Sequence, residues 1–260
     1  MSRITVDKDI CEQCGACVEV CGPRAIALDE DGFPEDVPGS MCILCGHCVA
    51  VCPPEALAHA ELPEDDYRLA ATELPTPALM DGLLMSRRSI REFKDKPVGR
   101  ETLEALLDVA RRAPTAVNAQ KQHWIVVEGK ANVHALAAET IAGARASGAN
   151  VAFLKRWDDG DDIVLRGAPT VVVACAPQDY AWRMEDSTIA LTFLELAAEV
   201  RGLGVCWAGF LTRIAAIHEP LRKLLAVPEG HVVCGALMLG KGRYSYQRVP
   251  PRKPLSVQWN

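Results

Sequence analysis

The chain has 260 residues, of which 49% are apolar and 24% charged, with a formal net charge of −6. That length suits one ordinary domain plus a small one, and the composition excludes intrinsic disorder, which needs low hydropathy and extreme charge. No run of about 18 uncharged apolar residues offers a membrane span, and no Lys/Arg stripe with interleaved aromatics offers a nucleic-acid surface.

The opening "MSRITVDKDI" lacks the cationic flank, apolar run and small-residue site of a secretory leader. The expectation is a cytoplasmic protein, in a reducing compartment where close cysteines bind metal rather than pair. Charge is unevenly divided. Residues 1–66 hold 3 Lys+Arg against 14 Asp+Glu, a balance of −11, while the remainder holds 25 against 20, a balance of +5. An acidic head joined to a mildly basic body predicts two modules.

The head is written twice. "CEQCGACVEVCGPRAIAL" at 11–28 returns 31 positions later as "CILCGHCVAVCPPEALAH", identical at 10 of 18 positions, an internal duplication. Cys11, Cys14, Cys17 and Cys21 follow the spacing C-x2-C-x2-C-x3-C, and Cys42, Cys45, Cys48 and Cys52 repeat it. Three thiolates at three-residue steps suit one side of a cubane iron–sulfur cluster, and so short a loop cannot reach the far corner. Structural zinc sites generally use two separated C-x2-C pairs, which leaves the third cysteine of each run without a role. Gly15 and Gly46 follow the second cysteine of each run, where positive φ brings backbone close to sulfur. His47, between ligands of the second run, has two readings, a residue that tunes cluster potential and a solvated surface residue, of which the second is favoured.

After the repeat, "AELPEDDYRLAATELPTPAL" has linker composition, so the chain divides into 1–62, a linker at 63–77, and a body at 78–260. "GRETLEALLDVARRAP" carries a helical stripe of Leu103, Leu106, Leu107 and Ala110, stopped by Pro114. "HWIVVEG", "PTVVVACAP" and "HVVCGALMLG" read as buried strands. "STIALTFLELAAEVRGLG", from Ser187, reads as a central apolar helix ending at Gly202 or Gly204. The proline-rich "PPRKPLSVQWN" reads as an extended arm, and Cys175, Cys206 and Cys234 as small buried hydrophobes. Strands separated by helices give an α+β or mixed α/β body.

Residues 3–60 resemble bacterial two-cluster 4Fe–4S ferredoxins. The resemblance implies crossed ligation, in which the last cysteine of each run serves the other cluster. Cys11, Cys14, Cys17 and Cys52 would then hold one cluster, and Cys42, Cys45, Cys48 and Cys21 the second. Cys52-Pro53 keeps the usual Cys-Pro, whereas the first run reads Cys21-Gly22-Pro23.

The body has no G-x-G-x-x-G after a strand and no Walker loop. It has "SRRSIREF" at 86–93, "AP[ST]-x-x-N-x-Q" at 113–120, "GLGVCW" at 202–207 and a terminal Arg-Lys-Pro, in that order. Together these segments resemble the nitroreductase flavoprotein family over 78–260. The resemblance implies FMN as cofactor, an α+β sandwich and an obligate homodimer with the flavin at the subunit interface. Arg87, Arg88, Ser89 and Arg91 would meet the phosphate and ribityl chain, with Arg252 and Lys253 closing on the phosphate. Pro114, Thr115, Ala116, Asn118 and Gln120 would be lent by the partner subunit, and the backbone of Ala208 and Gly209 would meet the ring. Lys121 and Gln122 stand where the family commonly has Pro-Trp, which leaves the substrate open.

The combined expectation is an iron–sulfur flavoprotein oxidoreductase. Electrons from a ferredoxin-like low-potential donor or NAD(P)H would reach FMN through two 4Fe–4S clusters, then a small-molecule acceptor such as a nitroaromatic or quinone. No side chain is assigned as catalytic. Two alternatives stay open: an electron-transfer module for a protein partner, and a same-fold reductase of double bonds or carbon–halogen bonds.

Overall fold

The computed structural model describes residues 2–148 and 151–260. It divides into two units, one running to Leu74 and including Val117–Ala119, the other comprising Pro75–Ala116 and Gln120–Asn260.

In the first unit the duplication is visible as two strand-and-helix runs: β1 (Ile4–Val6), α1 (Ala16–Glu19), β2 (Ile26–Leu28), β3 (Pro34–Asp36), α2 (His47–Ala50) and β4 (Leu57–His59). β1 pairs antiparallel with β4, and β2 with β3. Each one-turn helix follows a left-handed glycine, Gly15 at φ 72° and Gly46 at φ 71°, a conformation that a Cβ disfavours. A 3-10 turn at Glu64–Asp66 then leads to Tyr67, whose ring lies over Gly46. A Cβ there would sit 2.7 Å from the Tyr67 hydroxyl oxygen.

The second unit contains α3 (Pro77–Ser86), α4 (Arg100–Ala110), β5 (His123–Glu128), α5 (Lys130–Ala146), α6 (Val151–Asp158) and β6 (Thr170–Pro177). It continues through α7 (Arg183–Glu199), β7 (Gly204–Trp207), α8 (Gly209–Ile217), α9 (Glu219–Leu224) and β8 (His231–Gly240). The strands form one antiparallel sheet in the order β5-β6-β8-β7.

Successive strand residues point to opposite faces, and here both faces are covered. From β6, Val171, Val173 and Cys175 pack with Leu136 and Ile141 of α5 and Leu211 and Ile214 of α8. The intervening Val172 and Ala174 pack with Leu103 and Leu106 of α4 and Leu191 and Leu194 of α7. The valine run therefore shows no polar alternation, and helices on both sides of one sheet make the α+β sandwich. Cys175, Cys206 and Cys234 are all buried, as their apolar neighbourhoods predict.

The helix expected from Ser187 starts earlier, at Arg183. Its first turn carries Glu185 and Asp186, which favour a helix N-terminus. Residues 245–260 form neither helix nor strand and are exposed throughout. Among the described residues, no helix is long and apolar enough to cross a membrane.

Gly204 opens β7 where α3 gives way to the "SRRSIREF" segment. The Ile90 amide donates to Val205 O at 2.9 Å, and Ser89 bridges Val205 in parallel. A Cβ at Gly204 would lie 2.5 Å from Ile90 Cγ1 and 2.7 Å from its Cβ. Gly204→Ala is expected to cost about 1–3 kcal/mol through overpacking, read as a lower urea midpoint. An unchanged midpoint would show that Ile90 yields.

Candidate functional site

Within the first unit the eight cysteines sort into two quartets, each around its own void. One small cavity is lined by Cys11, Cys14, Cys17 and Cys52. A second is lined by Cys42, Cys45, Cys48 and Cys21. The fourth sulfur of each set comes from the opposite run because β1 pairs with β4 and the two one-turn helices pack together.

The backbone repeats its unusual residues along with its cysteines. Gln13 and Leu44, then Arg24 and Glu55, occupy matched positions and all have φ between 51° and 55°. Non-glycine residues in this region store strain, which clusters at functional sites. Amides also point at sulfur: Ala25 N to Cys21 Sγ at 3.1 Å, Ala56 N to Cys52 Sγ at 3.3 Å, and Leu44 N to Cys42 Sγ at 3.4 Å.

Burial pushes the Cys17 and Cys48 thiols up, against hydrogen bonds from the Val18 and Val49 amides. Their quartet neighbours, Cys52 and Cys14 for one and Cys45 and Cys21 for the other, add to the rise. No three His, Cys, Asp or Glu side chains among the described residues are grouped as a site for one ion. A tetrahedral zinc needs four ligands about 2.0–2.3 Å from one point, whereas these sulfurs enclose a space. The donor set and its shape fit a 4Fe–4S cubane in each void.

In the second unit, the "SRRSIREF" and "GLGVCW" segments meet through the Ser89 and Ile90 contacts with Val205. Arg87 does not stand open to solvent. Its Nη1 donates to Glu195 Oε1 at 2.8 Å, and Trp207 Nε1 donates to Glu195 Oε2 at 3.3 Å. Arg88 turns back onto the Ser86 and Met85 carbonyls that end α3, and Arg91 Nη1 reaches Ser89 O at 3.5 Å. Burial pushes the Cys206 thiol up, and the charges of Arg91 and then Arg166 oppose that rise.

Two cations escaped the sequence reading. Lys241 and Arg243 follow β8, where the Lys94 amide donates to Lys241 O at 2.8 Å and the Arg243 amide to Glu92 O at 2.9 Å. An open groove of about 460 Å³ there is lined by Arg88, Lys94, Lys241 and Arg243, with Glu199 as its acid. Burial pushes the Glu199 carboxyl up, Arg87 pulls it down, Glu195 raises it and Arg88 lowers it. The signal available in the sequence was "GKGR" directly after a strand. This concentration of guanidinium and ammonium groups around Arg88 fits a phosphate.

Asp186 is buried on α7 and fixes the start of the loop that follows α4. It accepts from the Ala116 amide at 3.1 Å and from the Tyr180 hydroxyl at 2.5 Å. Burial, then that hydrogen bond, pushes the Tyr180 hydroxyl up to about 12. Pro114 is exposed, the Thr115 hydroxyl accepts from the Gln120 amide at 3.1 Å, and Lys121 lies over the Tyr180 ring. Val117, Asn118 and Gln120 all have positive φ, an outlier for a β-branched residue such as Val117. Asn118 belongs to the first unit, where its side-chain amide donates to Ile43 O and Leu44 O. Ala208 is buried, its amide donating to Ala236 O at 2.8 Å, and Gly209 opens α8. Arg252 and Lys253 lie in the exposed tail, and no hydrogen bond or ion pair among the described residues joins them to Arg87–Arg91.

Residues 84–241 match the model of the nitroreductase family, and residues 3–53 match that of a 4Fe-4S dicluster domain. A protein of Archaeoglobus fulgidus with the provisional name NADH dehydrogenase/NAD(P)H nitroreductase is 29% identical over 165 residues, covering 61% of this chain and 82% of its own. A ferredoxin of Pyrobaculum islandicum is 53% identical over 30 residues, covering 12% of this chain and 28% of its own. The structure of a nitroreductase with bound FMN from Desulfitobacterium hafniense superposes with a TM-score of 0.59 at 26% identity, covering 68% of this chain and 96% of that one.

The Arg87–Glu195 pair makes a direct prediction. Arg87→Ala leaves Glu195 buried with only the indole N–H, and is expected to cost about 3–5 kcal/mol. Urea unfolding of flavin-free protein reads this, and the double variant Arg87→Met/Glu195→Met should recover most of the loss. A single variant as stable as wild type would show that the carboxylate is already compensated.

Proposed function

Since the chain belongs to the nitroreductase family and carries a 4Fe–4S dicluster domain ahead of it, we propose that it is an FMN-dependent oxidoreductase fed with single electrons. Its acceptor is a small molecule such as a nitroaromatic or a quinone. The observation that carries this reading is the co-occurrence, in one chain, of two four-sulfur cavities and the nitroreductase body.

Bound clusters supply one-electron storage, and bound FMN supplies the exchange between one-electron and two-electron chemistry. The residues do the rest. Cys11, Cys14, Cys17 and Cys52 hold one cluster, and Cys42, Cys45, Cys48 and Cys21 the other. Arg87, Arg88, Ser89 and Arg91 hold the flavin phosphate and ribityl chain, joined by Lys241 and Arg243 from the end of β8. The backbone of Ala208 and Gly209 meets the ring.

The reading includes a homodimer in which the Pro114–Gln120 loop, Arg252 and Lys253 complete the site of the other subunit. Exposed apolar side chains support it: Leu79 and Met85 on α3, Ile189 and Phe193 on α7, and Leu255 and Trp259 on the tail. The donor is a low-potential protein of ferredoxin type or NAD(P)H, and the setting is the reducing cytoplasm.

The test is anaerobic purification with iron, sulfide and flavin counted per chain, followed by donor and acceptor screening. About eight irons and one FMN are expected, with turnover supported by a reduced low-potential donor. A Cys14→Ser/Cys45→Ser variant should lose that donor's turnover. If it kept full activity, the clusters would have no part in the reaction. Reduction of a double bond or a carbon–halogen bond, or delivery only to a protein, would replace the named acceptor class.

A further inference from the structure

The two sulfur cavities are built by one repeated sentence, yet their surroundings differ, and one difference brings a buried imidazole to a cysteine sulfur. His59 closes β4 and is buried, 6% exposed. Its Nε2 lies 3.6 Å from Cys42 Sγ, and its Nδ1 accepts the Glu61 amide at 3.2 Å. A neutral imidazole carries one N–H hydrogen. With Nδ1 accepting, that hydrogen sits on Nε2 and points at the sulfur.

The repeat offset of 31 places Leu28 at the corresponding position of the first run. Leu28 is 45% exposed and has no polar hydrogen to give. Among the described residues, no side-chain nitrogen lies within hydrogen-bond reach of Cys11 Sγ, the counterpart of Cys42. The nearby charges lean the same way. The cavity with Cys42 is lined by Arg3 and Asp36, an ion pair of no net charge at 3.1 Å. The cavity with Cys11 is lined by Glu12 and by no cation.

Resting on the two-cluster reading above, we infer that His59 is a positioning residue that makes the two clusters unequal. Its Nε2–H, donated to Cys42 Sγ, gives the cluster held by Cys42, Cys45, Cys48 and Cys21 the higher reduction potential. Reduction adds one negative charge to a cluster, and part of that charge resides on the thiolate sulfurs. A donor aimed at one of those sulfurs stabilises the reduced form more than the oxidised one, and hydrogen bonds to sulfur are an established determinant of potential. A carboxylate beside the other cluster acts in the opposite sense. Electrons therefore settle first on the Cys42 side.

The experiment is an EPR-monitored potentiometric titration of full-length, anaerobically prepared holoprotein, with iron counted in every sample. Wild type with about eight irons per chain should show two distinct potentials. His59→Leu, which copies the residue of the first run, should lower the higher potential about tenfold in reduction constant, about 59 mV for one electron. The lower potential should stay in place, and His59→Gln, which keeps an N–H donor, should restore most of the shift. Unchanged potentials, movement of the lower one, or equal movement of both would overturn the inference. Loss of half the iron in both His59 variants would also overturn it, by making His59 a ligand. A wild-type count far from eight would instead sink the two-cluster reading itself.

Discussion

Two quartets of cysteine sulfur, each drawing its fourth member from the opposite run, set the shape of the first unit. Its buried core clusters on Ile4, Ile26 and Leu57, with Cys17, Cys21, Cys48 and Cys52 packed directly against them. Domains this small bury too little apolar surface to be secure on their own and draw on metals or crosslinks. Where metal–thiolate bonds form only in the folded chain, their free energy becomes folding free energy. The left-handed residues Gln13, Gly15, Arg24 and their counterparts Leu44, Gly46 and Glu55 fit this picture. The two glycines adopt this region freely, and the four other residues are local strain, tolerated because they aim sulfur and amides inward.

The second unit meets a different constraint by ordinary means. Its sheet is covered on both faces, so β6 and β8 are apolar along their length and fix the positions of everything attached to their ends. Basic and backbone groups then gather at the strand termini: Ser89 beside β7, Ala208 between β7 and α8, Lys241 and Arg243 after β8. The scaffold is hydrophobic and rigid, and the chemistry sits on its edges.

How much of this was legible in the sequence depended on how local each signal was. The cysteine runs speak through spacing alone, and the valine-rich strands through composition, so both were plain. The start of α7 was hidden because Glu185 and Asp186 look like loop residues until one sees Asp186 anchoring Ala116 and Tyr180. Glu195 looks like a stray acid in an apolar helix. Its partner Arg87 lies 108 positions away, and no pattern within a window connects them. Lys241 and Arg243 were masked by the turn-like glycines around them. His59 reads as the end of a strand until its ring is seen between an amide and a sulfur.

The contact between Arg87 and Glu195 also bears on how an anion would be received. An arginine side chain loses considerable rotamer freedom when it is immobilised. Here a buried carboxylate, itself held by an indole N–H, already fixes the guanidinium before any ligand arrives. That ordering belongs to folding, so a phosphate docking beside it finds the donor already oriented and loses less entropy on association. The same carboxylate shares the positive charge that such an anion would meet.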